Sequence, residues 1–140
     1  MATARLTAAL LGLIWIALGV TKLGDPGALA AWLTSATGLS SRGAGVASIS
    51  LACGETLLGL AAVAHAALTS ARRTLFALSW ALGVIAAVAT LVLPRHVSCG
   101  CFGDLGSATV FHRLIVAGAI QWLSVDTYFR LGATRRLGGT

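Results

Sequence analysis

Four apolar runs divide the chain, and each is long enough to cross a bilayer. They cover about residues 6–23, 44–68, 74–93 and 110–129. A helix rises about 1.5 Å per residue, so such runs span a hydrocarbon layer of roughly 30 Å. Lipid offers a backbone no hydrogen bonds, so each run must satisfy its own N–H and C=O groups as a helix. The pattern predicts an all-α protein, a four-transmembrane-helix bundle forming one domain over residues 1–140. Composition agrees. Only 10% of the 140 residues are charged and 57% are apolar, with a mean hydropathy of +0.90. Soluble domains carry about 25% charged residues. This chain has too few solvated side chains to coat a soluble enzyme, and too much apolar surface for a disordered tail. The net charge of +6 raises nucleic acid as a partner. The basic residues sit at the ends of apolar runs and form no stripe, which argues against that.

Arg5 ahead of the first run imitates a signal peptide. Val20, Thr21, Lys22 and Leu23 offer no small-residue cleavage site, so the sequence predicts a retained helix. Orientation follows from Lys and Arg. The N-terminus, second connection and C-terminal tail carry Arg5, Arg72, Arg73, Arg130, Arg135 and Arg136. The first and third connections, with their helix ends, carry Lys22, Arg42, Arg95 and Arg113. The excess places both termini in the cytoplasm and the first and third connections outside.

The first connection has structure of its own. Asp25 followed by Pro26 is a helix start, Leu29, Trp32 and Leu33 recur at helical spacing, and Gly38 supplies a stop. A short extracytoplasmic interfacial helix is expected, with Trp32 at headgroup depth.

The third connection reads Arg95-His96-Val97-Ser98-Cys99-Gly100-Cys101-Phe102-Gly103-Asp104. Thiols facing an oxidising compartment tend to form disulfides. Gly100 allows the tight turn that brings the two sulfurs together. A bridge across so short a loop removes little chain entropy and makes a poor staple, so a redox-active pair is the stronger reading. Arg95 and His96 can stabilise a thiolate. A zinc site of His96, Cys99, Cys101 and His112 is the alternative, with a spacing unlike the usual paired-cysteine gap.

Cys53 and Glu55 lie near the middle of the second run. An acid at that depth is costly and marks function or a polar partner. Desolvation favours its neutral form, which makes Glu55 a candidate proton carrier. Cys53 is about 200° away around the helix. It is expected to be a small buried hydrophobe rather than a third redox thiol. Lys22 closes the first helix, where it can snorkel outward or pair with Asp25 or Glu55. Gln121 and Ser124 share a face and can bond across the bundle. Asp126 and Arg130 form an i,i+4 surface pair, and His65 is interfacial. The pairs Ala8/Gly12, Ser50/Gly54 and Gly83/Ala87 offer close helix approach.

Gly19-Val20-Thr21-Lys22 at the end of the first run, Gly54-Glu55 in the second and Cys99-Gly100-Cys101-Phe102-Gly103 before the last resemble the MauE family. These are methylamine-utilisation membrane proteins related to the DoxX-like four-helix proteins. The resemblance covers most of the chain, and the Cys-Gly-Cys-Phe-Gly motif is its most specific part. It implies a four-helix bacterial membrane protein working beside periplasmic thioredoxin-like proteins, in the maturation of a disulfide-rich dehydrogenase subunit. By carry-over, Cys99 and Cys101 are the redox pair, and Lys22 and Glu55 the characteristic polar positions. Cys53 is outside the motif.

Together these readings predict a membrane thiol–disulfide redox protein, a candidate oxidoreductase. Cys99 and Cys101 exchange electrons between a thioredoxin-like partner and a membrane carrier such as a quinone. Glu55 handles protons, with Lys22, Arg95, His96 and Cys53 as supporting candidates. The alternatives are a non-catalytic small subunit of a larger membrane complex and the His/Cys metal site.

Overall fold

The computed structural model describes residues 2–67, 73–92 and 110–137. Every element among them is a helix. α1 spans Ala2–Gly24, α2 Pro26–Thr37, α3 Ser41–Ala67, α4 Arg73–Val92 and α5 Val110–Leu137. Four of these match the apolar runs. α5 continues about two turns past the expected end at residue 129.

The short helix has the predicted signals. Asp25 caps it, its Oδ1 accepting from the Gly27 N–H at 3.1 Å, and Pro26 occupies the first turn. Gly38 ends it at φ 71°, a left-handed conformation that a side chain would strain, and its N–H donates to the Thr34 carbonyl at 3.1 Å. α2 packs along the N-terminal part of α3. Leu29 is buried, and the Ser48 hydroxyl donates to the Pro26 carbonyl at 3.0 Å. Trp32 is half-buried, and its indole N–H is enclosed. The short helix thus forms with its expected start and stop, and its contacts with α3 seat it against the bundle.

α1 buries Ala8, Leu11, Trp15, Leu18 and Lys22, alternating steps of three and four residues that keep one stripe inward. Its main neighbour is α3, running antiparallel. A Cβ on Gly12 would meet the Gly59 carbonyl oxygen at 2.6 Å, and one on Gly59 would meet the Gly12 oxygen at 2.6 Å. Seven residues on, a Cβ on Gly19 would meet the Ala52 oxygen at 2.7 Å and the Thr56 nitrogen at 2.8 Å. Glycines thus let the two backbones touch, as small residues do where lipid supplies no drive for helices to associate. α4 and α5 form a second antiparallel pair, which meets the first mainly through α1 and α5. Gly83 takes part as expected, lying against Ile120 and Gln121. The Ser50/Gly54 pair does not: both residues are exposed, and nothing lies near Gly54.

The surface is strongly apolar, and the apolar core around Leu11, Leu18, Phe76 and Ile120 encloses several polar side chains. Lys22, Ser48, Glu55, Ser79, Ser124 and Thr127 are buried, whereas Leu57, Ile85, Trp122 and Phe129 are each more than 60% exposed. Water would drive the reverse arrangement, so this surface suits lipid. Among the described residues, two helices are long and apolar enough to cross a membrane, over Arg5–Gly24 and Ser41–His65. α4 contributes a shorter apolar stretch, Leu75–Val88. α5 carries Arg113, Gln121, Asp126 and Arg130 along its length.

Backbone contact at Gly19 sets the α1–α3 distance, so Gly19→Ala should lower stability by about 1–3 kcal/mol through overpacking. Gly54→Ala, in open space, should stay within about 0.5 kcal/mol of wild type. Denaturation of the purified chain in mixed micelles measures both. Equal losses at the two positions would refute the packing described.

Candidate functional site

Lys22 and Glu55 meet inside the α1–α3 pair. The Lys22 Nζ lies 2.5 Å from both Glu55 carboxylate oxygens, with the two side chains 2% and 8% exposed. Helical side chains lean toward their own N-terminus. α1 and α3 are antiparallel, so Lys22 leans inward along α1 while Glu55 leans outward along α3, and the two converge. The structure thus selects Glu55 from the expected partners of Lys22. Asp25 is engaged in capping α2.

The surroundings keep water out. On the face of α3 that carries Glu55, Ala44, Ser48 and Ala52 are each 0% exposed toward the α2 end, and Leu58 and Ala62 are buried on the other side. Such a pair is neutral as a unit but costly to assemble, and removal of either partner strands a charge. Cys53 points elsewhere. It is exposed, with Ile49, Leu57 and Leu60 also exposed on that side. The sequence correctly sets Cys53 apart from Glu55, but its expected burial is corrected: the covered face of α3 is the one beneath α1 and α2.

A second polar feature was foreseen only at its α5 side, in Gln121 and Ser124. The Trp15 indole N–H donates to the Ser79 hydroxyl at 2.7 Å, and Ser79 pairs with the Ser124 hydroxyl at 3.0 Å. This buried chain joins α1, α4 and α5. The Thr127 hydroxyl bonds Thr7 at 3.1 Å, and the Gln121 amide donates to the Trp80 carbonyl at 3.1 Å. Gln121 and Ser124 therefore bond across the bundle as their shared face suggested. The only signal for Ser79 was that it is the one serine in the 74–93 run, as Ser124 is in the 110–129 run. Asp126 and Arg130 form the expected pair at 2.7 Å. That hydrogen bond, and then the charge of Asp126, raise the Arg130 guanidinium above its ordinary pKa. His65 packs on Phe76, ring centroids 5.7 Å apart.

Two apolar recesses open on the surface. One of about 280 Å³ lies between α1 and α5, bounded by Ile14, Leu18, Thr21, Ile115 and Ala119. The other, about 250 Å³, lies between α4 and α5 near the opposite end.

Arg95, His96, Cys99 and Cys101 lie outside the described residues, as does the side chain of His112. The pairing of the two cysteines and the alternative zinc site therefore rest on sequence. Among the described residues no group of three His, Cys, Asp or Glu gathers as metal ligands. The segment of residues 93–109 leaves α4 at Val92 and returns at Val110. Both points belong to the end of the bundle that carries Lys22, because α4 and α5 run antiparallel and Thr7 meets Thr127 at the other end.

Residues 1–125 match the family described as methylamine utilisation protein MauE. The chain belongs to the MauE family. No curated protein and no solved structure matches it. Family membership and the apolar exterior make this MauE-family chain a membrane protein, with lipid as its environment.

Replacing one member of the Lys22–Glu55 pair should cost more than replacing both. Lys22→Met should destabilise by about 3–5 kcal/mol, and Lys22→Met/Glu55→Leu should recover most of that loss. A double-mutant cycle in mixed micelles measures it. Additive losses would show that the two side chains do not depend on each other.

Proposed function

We propose that the chain is a four-span thiol–disulfide redox protein of the bacterial inner membrane. Both termini are cytoplasmic, and Cys99 and Cys101 are extracytoplasmic. A thioredoxin-like partner in dithiol form attacks the Cys99–Cys101 disulfide. One thiolate forms a mixed disulfide, the second partner thiol resolves it, and the partner leaves oxidised. Cys99 and Cys101 are then dithiols and pass two electrons and two protons to a membrane quinone, which becomes a quinol. The net change oxidises one partner dithiol and reduces one quinone, supporting disulfide formation and protein maturation. Glu55 serves the proton transfers with Lys22 as its counter-ion. Arg95 and His96 favour the attacking thiolate.

The observation that carries this reading is the buried Lys22–Glu55 pair at the end of the bundle where residues 93–109 connect α4 to α5. A fully desolvated ion pair is an expensive feature for a small bundle, and intramembrane ionisable groups mark function by default. Its coincidence with the Cys-Gly-Cys end supports one site rather than two. The apolar recess between α1 and α5 supplies a place beside that end for the isoprenoid chain of a quinone. Family membership supports a setting in methylamine utilisation. Cys53, on the outer face of α3, has no part in the exchange.

Trapping the reaction midway tests this. In Cys101→Ser the remaining Cys99 should accumulate a mixed disulfide with a thioredoxin-like protein, released by reductant. In the wild type, quinone depletion should shift Cys99 and Cys101 toward thiols. A chain with Cys99→Ser/Cys101→Ser that retains full activity, or thiols that never change state, would sink the proposal.

A further inference from the structure

Lys22 lies in the last turn of α1, which ends at Gly24. A lysine so placed can reach water at the end of the bundle, with its stem in apolar surroundings and its ammonium solvated. Here the side chain is only 2% exposed, and the Glu55 side chain that holds it 8%. The short route from this pair to the end of the bundle is closed.

The closure can be followed along α3. From Glu55 toward the start of that helix, the same face presents Ala52, Ser48 and Ala44, all fully buried. Side chains this small cannot screen a carboxylate from water by themselves. α2 packs along this part of α3. Leu29 is buried there, and the Ser48 hydroxyl donates to the Pro26 carbonyl at 3.0 Å. α1 gives α2 little support. Gly24 and Asp25 at their junction are exposed, a Cβ on Gly24 would meet nothing, and the two helices touch sparsely. The seat on α3 is therefore what keeps α2 in place.

We infer that α2 is the water seal of the Lys22–Glu55 site. Seated through Pro26 and Leu29, it keeps solvent protons away from Glu55, so a proton held there is exchanged only with groups inside the bundle. The inference deepens the redox reading and rests on it for the use of that proton. The proposed cycle removes two protons from a dithiol and adds two to a quinone, so its balance draws none from solvent. A sealed carboxylate suits such an internal transfer, whereas an exposed one would exchange with bulk water at every turnover. The seal itself follows from packing and needs neither Cys99 nor Cys101.

Treating the full chain in lipid vesicles with a water-soluble carbodiimide and glycine ethyl ester tests the seal. The carbodiimide activates carboxylates that water reaches. Activated Glu55 is captured by the amine of the ester or by Lys22 beside it, and peptide mass spectrometry counts both products. Asp25, exposed at the same end, is the internal reference. In the wild type Asp25 should be modified and Glu55 spared. Ser48→Ala removes the bond to Pro26 and should raise the Glu55 to Asp25 ratio about threefold. Ser48→Ala/Leu29→Ala should raise it about tenfold or more. Ser124→Ala loses an equally buried hydroxyl contact at the other seam and should leave the ratio unchanged, which separates loss of the seal from general loosening. Modified Glu55 in the wild type, a ratio indifferent to Ser48 and Leu29, or an equal rise in Ser124→Ala would overturn the proposal. The labelling uses neither partner nor quinone, so the two readings fail separately. A spared Glu55 with no mixed disulfide in Cys101→Ser sinks the redox reading alone. A mixed disulfide with an open Glu55 sinks the seal alone.

Discussion

Two charges buried between helices constrain this small protein more than any other contact. Moving Lys22 and Glu55 out of water costs several kcal/mol for each, and their mutual attraction offsets this only when geometry and shielding are both good. The geometry comes from antiparallel packing, which leans the two side chains toward each other. The shielding comes from α2, held over α3 by the Ser48–Pro26 bond and by Leu29. The pair in turn fixes the rest. It requires α1 and α3 in one register, and that register juxtaposes Gly12 with Gly59 and Gly19 with Thr56. A slip of one residue would break backbone contact and ion pair together. The interface is thus specified twice, once by shape and once by charge.

The apolar exterior follows from the same logic. In lipid, apolar side chains gain little by turning inward, so beside the packed core of Leu11, Leu18, Leu58, Phe76 and Ile120, space between helices goes to residues that allow close approach or bond across the gap. Glycines fill the first role between α1 and α3. Trp15, Ser79, Ser124, Thr7 and Thr127 fill the second where α1 meets α4 and α5. Leu57, Trp122 and Phe129 face outward because that is the favourable side.

Much of this was legible in the sequence, for reasons that differ by element. The four long helices follow from runs of apolar residues that permit no other backbone. α2 follows from Asp25-Pro26 at one end and Gly38 at the other, local signals that need no tertiary information. Lys22 and Glu55 stand out as charges in apolar surroundings, but their pairing depends on the α1–α3 register, which no local pattern encodes. The Trp15–Ser79 bond joins residues 64 apart and was invisible for the same reason. The placement of Cys53 failed differently. Helix geometry correctly put it away from Glu55, but residue type suggested burial. Exposure is decided by where α1 and α2 lie, and in lipid an exposed thiol carries little penalty. Ser50 and Gly54 carry the right spacing for close packing on a face that received no neighbour.

The two seams of the bundle are unequal, and the inequality bears on how such a protein works. Between α1 and α3, disruption means separating a buried ion pair, at about 3–5 kcal/mol. Between α1 and the α4–α5 hairpin, the polar contacts among the described residues include no buried ion pair but hydrogen bonds such as Trp15–Ser79 and Thr7–Thr127, and those within membranes average only about 0.6 kcal/mol. α3 and α4 touch sparsely. The hairpin is therefore the more loosely held half, attached by apolar packing of Leu11 and Leu18 with Phe76 and Ile120 and by contacts such as Trp15–Ser79 and Thr7–Thr127. It is also the half that carries residues 93–109. In the proposed redox cycle the cysteine segment meets a partner and then a membrane carrier, which suits one half that stays fixed and one that yields. The ion pair makes α1, α2 and α3 the fixed half, and any rearrangement falls on the seam that Trp15 bridges.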